Sequence, residues 1–188
     1  MHPAEHRALR ELYALTRQLR EHWTALADRL EEGASDVAPL RAGAQAAREL
    51  LHELSAMTAA RELYGRPTAQ GVGLQLAAAR SGMLDHALEV NQALRLATLD
   101  AQHVVTLLAY LRRLADRRGD GELARFLGGW EERMRGHEEA ARAAAIAVGD
   151  DPDAAIAPAT PGLAGRVGHG LTAALGTFGE WWDRRAAR

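Results

Sequence analysis

Cysteine is absent from the chain, which excludes disulfides, thiolate nucleophiles and cysteine-bound iron–sulfur or zinc sites. Lysine is absent too, all 23 basic residues being arginine, so Schiff-base chemistry and the phosphate-binding lysine of a Walker loop are both closed to it. Serines are few and no Gly-x-Ser-x-Gly elbow occurs, which leaves a Ser-His-Asp triad almost nothing to be built from. Aromatics make up only 5% of the residues and β-branched side chains are scarce, so strands have little to work with. No uninterrupted apolar run approaches the roughly 20 residues that span a bilayer. The opening MHPAEHRALREL is charged and lacks the apolar stretch of a signal peptide, so a soluble, cytoplasmic protein is expected.

What is present is the material of a helical core. Hydrophobic residues are 47% and charged residues 26% of the 188, a balance that fits one ordinary domain with an appendage. Alanine is abundant, and intrinsic propensity favours helix almost throughout. A formal net charge of -2 gives no long-range attraction to phosphate backbones or anionic lipid, so neither nucleic acid nor a membrane surface is an expected partner.

Apolar residues recur in alternating steps of four and three, which keeps one stripe of a helix facing a neighbour. Leu12, Thr16, Leu19, Trp23, Leu26 and Leu30 mark a first helix, stopped at Gly33. Ser35 or Asp36 can cap a second, with Leu40, Ala44, Ala47, Leu51, Leu54 and Thr58 as its stripe. The rhythm resumes at Val72 and runs through Met83, His86, Val90, Ala97, Asp100, Val104 and Leu111 to Leu114, as one very long helix or as two broken near Ser81-Gly82. A fourth stripe holds Leu123, Leu127, Trp130, Met134, His137 and Ala141.

Short loops make helices one and two one hairpin and helices three and four another, so residues 1–148 are expected to form an all-α, antiparallel four-helix bundle. With a break at Ser81-Gly82, the long connection between hairpins resembles that of ferritin-like bundles, a likeness of architecture only. Residues 149–162, GDDPDAAIAPATPG, read as a linker or a wrapping segment.

Ferritin-like bundles turn carboxylates and Glu-x-x-His pairs inward, and two such spacings occur. Glu49 and His52 fall off the stripe of helix two and read as a solvated face. Asp100 lies on its own stripe with His103 at the edge, and folding the chain about Arg118-Gly119 brings His137 to the level of Asp100. Asp100, His103 and His137 are thus candidate ligands for one divalent metal ion, or the lining of a small-ligand pocket. The simpler alternative is a buried Asp–His pair that fixes helix register. His22, off the stripe, is given no role, His86 is expected to face Trp23, and the pairs Glu131-Glu132 and Glu138-Glu139 read as solvated charge beside arginines.

Residues 163–188 form the last piece. On a helical wheel Leu163, Val167, Leu171, Leu175, Phe178, Trp181 and Trp182 make a broad apolar side, and Gly165, Gly168, Thr172, Gly176 and Gly179 a narrow stripe beside it. Small residues in a stripe let another backbone approach closely. Four glycines cost an isolated helix roughly 3 to 4 kcal/mol relative to alanine, so this helix is expected only when docked, across its own bundle as a fifth helix or against a second subunit rather than on a membrane surface. The expectation is a non-enzymatic bundle that works by association, as a homodimer or with a partner protein, through this C-terminal helix and without a cofactor. Its alternative is a bundle holding a metal or small ligand at the Asp/His site.

Overall fold

A computed structural model describes residues 2–31, 36–61 and 88–160. Four long helices pack together: α1 (Pro3–Glu31), α2 (Ala38–Ala60), α3 (Val90–Arg118) and α4 (Gly121–Ala147). A 3₁₀ turn (Val148–Asp150) and a single-turn helix, α5 (Pro152–Ala155), follow. The fold is predominantly helical, and among the described residues the one extended pairing is a bridge between Glu89 and Pro158. None of the described helices is long and apolar enough to cross a membrane.

The stripes are buried where the four-three rhythm puts them. Leu12, Thr16, Leu19, Trp23, Leu26 and Leu30 of α1 are buried, as are Leu40, Ala44, Ala47, Leu51, Leu54 and Thr58 of α2. Each helix buries more than its stripe, with Leu50 on α2 and Leu94, Ala101, Val105 and Leu108 on α3 joining the same core. The rule that a core-facing helix presents a face over 100° wide accounts for the surplus.

Trp23 ties three helices together. It is fully buried, and its indole Nε1–H donates to the Ala97 carbonyl of α3 at 3.1 Å. Its ring lies against Gly43 of α2, where an added Cβ would fall 2.0 Å from Cζ3. Glycine inside a helix is here a matter of room: only a residue without a side chain admits the indole. The expected partner of Trp23, His86, lies outside the described residues.

Ends are chosen by local chemistry. Asp36 Oδ1 accepts the Ala38 N–H at 3.0 Å, and Pro39 occupies the first turn of α2, where its missing N–H costs nothing. Gly119 closes α3 in the left-handed region at φ 77°, and Asp120 starts α4 by accepting the Leu123 N–H at 3.0 Å. Asp120 is held below the usual carboxylate range first by that N–H, with the Arg61 and Arg118 guanidiniums adding to it.

The main helix contacts run α1 on α2 and α3, and α4 on α3 and α2, with α3 against α4 the most extensive. Ion pairs fix the ends. Arg118, closing α3, reaches the buried Glu5 of α1 at 3.0 Å, and Arg61, following α2, reaches Asp120 at 3.4 Å. The end of α2 therefore lies by the end of α3, and Val90 starts α3 about 40 Å away, 29 residues at 1.5 Å each. The break at Ser81-Gly82 falls within residues 62–87, outside the described residues.

The segment after α4 is fastened to the start of α3. Val90 N–H donates to Ala157 O and Ala159 N–H to Leu88 O, both at 2.9 Å, and Asn91 Nδ2 donates to Ala155 O at 2.8 Å. Ala155 and Ala159 are buried. The C-terminal helix expected over 163–188 lies outside the described residues.

Candidate functional site

Asp100 meets a histidine, but from α1. His22 Nδ1 lies 2.5 Å from Asp100 Oδ2, with the two side chains 9% and 20% exposed. The helical wheel gives His22 no role, and this contact corrects that reading. An aspartate on an apolar stripe needs a compensating donor, and the helix that supplies it is the non-sequential neighbour α1 rather than the hairpin partner α4. The pair sits beside Trp23, so α1 and α3 are locked at one level by two bonds, His22 to Asp100 and Trp23 to the Ala97 carbonyl.

The three candidate ligands face different partners. His103 is exposed, with Nε2 3.9 Å from Glu11 of α1. His137 is half-buried; desolvation pushes its pKa down, the Arg133 guanidinium adds to this, and Glu49 opposes it. Among the described residues, no group of three or more His, Asp or Glu side chains is placed to hold a metal ion.

Glu49 and His52 also part company. His52 is exposed, whereas Glu49 accepts from Gln45 Nε2 at 2.7 Å and from Arg133 across the α2–α4 seam. Those hydrogen bonds, Gln45 first, hold its carboxyl below the ordinary range. Arg133 also stacks 4.8 Å above the Trp130 ring, and Trp130 Nε1 donates to Glu53 at 2.8 Å. This network of named polar groups joins α2 to α4, as His22 and Asp100 join α1 to α3.

Two carboxylates on α4 overturn their reading as solvated charge. Glu131 and Glu138 are buried, at 8% and 7% exposure, while Glu132 and Glu139 are exposed. Arg135 and Arg142, each four residues on, fold back over them, and Arg112 of α3 reaches Glu131 at 3.0 Å. Long arginine stems bury a carboxylate while keeping their own heads wet.

A groove of about 200 Å³ runs between α1 and α2, floored by Ala27 and Ala44 and edged by Arg20, Arg41 and Arg48. Asp28 shares it and pairs with Arg41 at 3.4 Å. Small residues at the seam make the depression, and no nucleophile of the serine–histidine kind lines it.

Compared with protein-family models, with curated proteins and with solved structures, the chain gives no match.

Proposed function

We propose that this protein is a non-enzymatic helical bundle that works by association, through a C-terminal helix over residues 163–188 that pairs with a second copy or with a partner protein. The observation that carries the reading is the split of that segment into an apolar side and the small-residue stripe Gly165, Gly168, Thr172, Gly176 and Gly179, a surface that only a closely approaching backbone fills. The bundle supports it by being a scaffold: among the described residues, several polar pairs join helix to helix. His22 is spent on Asp100, Arg133 on Glu49, Arg118 on Glu5.

The bundle itself is read as antiparallel with a ferritin-like course. Glu5 against Arg118 and His22 against Asp100 support opposite directions for α1 and α3, and Arg61 against Asp120 with Glu49 against Arg133 support the same for α2 and α4. In that course residues 62–87 carry the chain from one end of the bundle to the other.

The test is a comparison of the full chain with one ending at Thr160. Cutting at Asp153 instead would remove Ala155 and Ala159, which are part of the core packing. The full chain gains mass with concentration in sedimentation equilibrium, and the shortened chain stays monomeric with its helicity retained. The same association state for both lengths at every concentration contradicts pairing with a second copy.

A further inference from the structure

Four large apolar side chains are exposed among the described residues: Leu99, Tyr110, Ile146 and Ile156. Singly scattered surface apolar residues need no explanation, but Ile146 and Ile156 share one end of the fold, with Leu99 about a third of the way along α3. Ile146 is one residue from the end of α4, at 71% exposure, and Ile156, at 55%, follows α5, which packs on the start of α3. Leu99 is nine residues into α3, about 13 Å from its first residue. The chain leaves the described structure from this same end, because Ala159 is bonded to Leu88 beside the first turn of α3.

We propose that residues 163–182 of the same chain cover this end of the bundle, laying Leu163, Val167, Leu171 and Leu175 over Ile146, Ile156 and Leu99. The inference rests on the reading above that the segment is an amphipathic helix. Two residues separate Thr160 from Leu163, so the helix starts within about 10 Å of the anchor. Its 20 residues are about 30 Å long, enough to pass over Ile156 and Ile146 and reach the level of Leu99. So short a tether gives the chain's own segment a high effective concentration at the surface, ahead of any segment from another molecule. Docking by the apolar side leaves the glycine stripe along the flank of the helix, where a second molecule can approach it. The two faces then have two different uses.

The absence of cysteine makes the test clean, since introduced thiols are the only ones. Ile146→Cys is combined in turn with Val167→Cys, Leu171→Cys and Leu175→Cys, and with Thr172→Cys, on the glycine stripe, as the control. Mild oxidation at micromolar protein is followed by intact mass and non-reducing electrophoresis. A bridge closing within one chain at one or more of the three apolar positions, several-fold faster than at Thr172, is the expected result. Bridges only between chains, equal rates at Thr172, or no bridge with either Ile146→Cys or Ile156→Cys as the bundle-side thiol overturn it. Ile146 and Ile156 are exposed, so their substitution leaves the core intact, and a helical melt checks this. Lost self-association on truncation without an intrachain bridge would leave the association reading standing and remove this one; a bridge in a chain that never self-associates would do the reverse.

Discussion

His22 of α1 and Asp100 of α3 meet Nδ1 to Oδ2 at 2.5 Å, joining two helices that are 78 positions apart in the chain at the point of contact. The pair sits next to the fully buried Trp23, so it sets the level at which α1 and α3 pack. Asp100→Ala removes the carboxylate from a nearly buried imidazole and is expected to lower stability by about 1–3 kcal/mol. His103→Ala, at an exposed site, changes it by no more than about 0.5 kcal/mol. Urea melts of both variants check the contrast; equal effects would detach Asp100 from the register of the bundle. Metal analysis of protein purified without a histidine tag belongs beside them, with no stoichiometric metal expected. A transition metal lost in His137→Ala would replace the structural account of Asp100 with a ligand site.

Gly43 is the residue that lets Trp23 in. Gly43→Ala places a methyl inside the indole's space, 2.0 Å from a ring carbon. The ring has to move and its bond to Ala97 O is strained, so a loss of about 1–3 kcal/mol is expected where helix propensity alone predicts a gain of about 1. A thermal melt gives the sign.

Arg118 and Glu5 are unequal partners. Glu5 is 2% exposed, while Arg118 is over a third exposed and also bonds Asp120 at 2.7 Å. Removing the arginine leaves a buried carboxylate uncompensated, whereas removing the glutamate leaves an arginine with another acid and with water. Arg118→Ala is therefore expected to destabilise more than Glu5→Ala, by about 1–3 kcal/mol against about 1 once solvent screening of Arg118 is counted. A reversed order in denaturant melts would show that Glu5 is compensated by other means.

His137 gives the fold a pH dependence. Its pKa is lowered by burial and by Arg133, so the unfolded chain binds its proton at a pH where the folded chain does not. The associated stability is present above the unfolded histidine value of about 6.5 and declines as pH falls through that range. Proton NMR is expected to find His137 titrating below the ordinary histidine value, and His137→Gln to flatten the slope of stability below about pH 6.5. An unchanged slope would assign it to other groups.

The core is legible in the sequence because a four-three repeat has one physical meaning, a helix face turned to a neighbour. It places Leu12 through Leu30 and Leu40 through Thr58 on buried faces without error. The partner of Asp100 is not legible, because loop length sets the register of sequential helices and says nothing of α1 against α3. The available signal lies in His22, adjoining the tryptophan at the centre of α1's stripe, as the donor an interior aspartate requires. Glu131 and Glu138 mislead for a related reason: two arginines at i+4 look like a solvated ladder on a wheel, and only the arrival of Arg112 from α3 puts Glu131 beneath them. The end of α3 at Gly119 is legible, whereas the N-cap of α2 is Val37, without a side-chain cap, and Asp36 only accepts the Ala38 N–H from one residue further out.

Association through the glycine stripe is the central claim, and sedimentation velocity of Gly168→Leu/Gly176→Leu over a hundredfold concentration range tests it most directly. Leucine favours helix over glycine yet bars another backbone from close approach. The account predicts that the wild-type chain shifts to a larger species with concentration and that the double variant sediments as a monomer throughout. A variant that associates as the wild type does would contradict it.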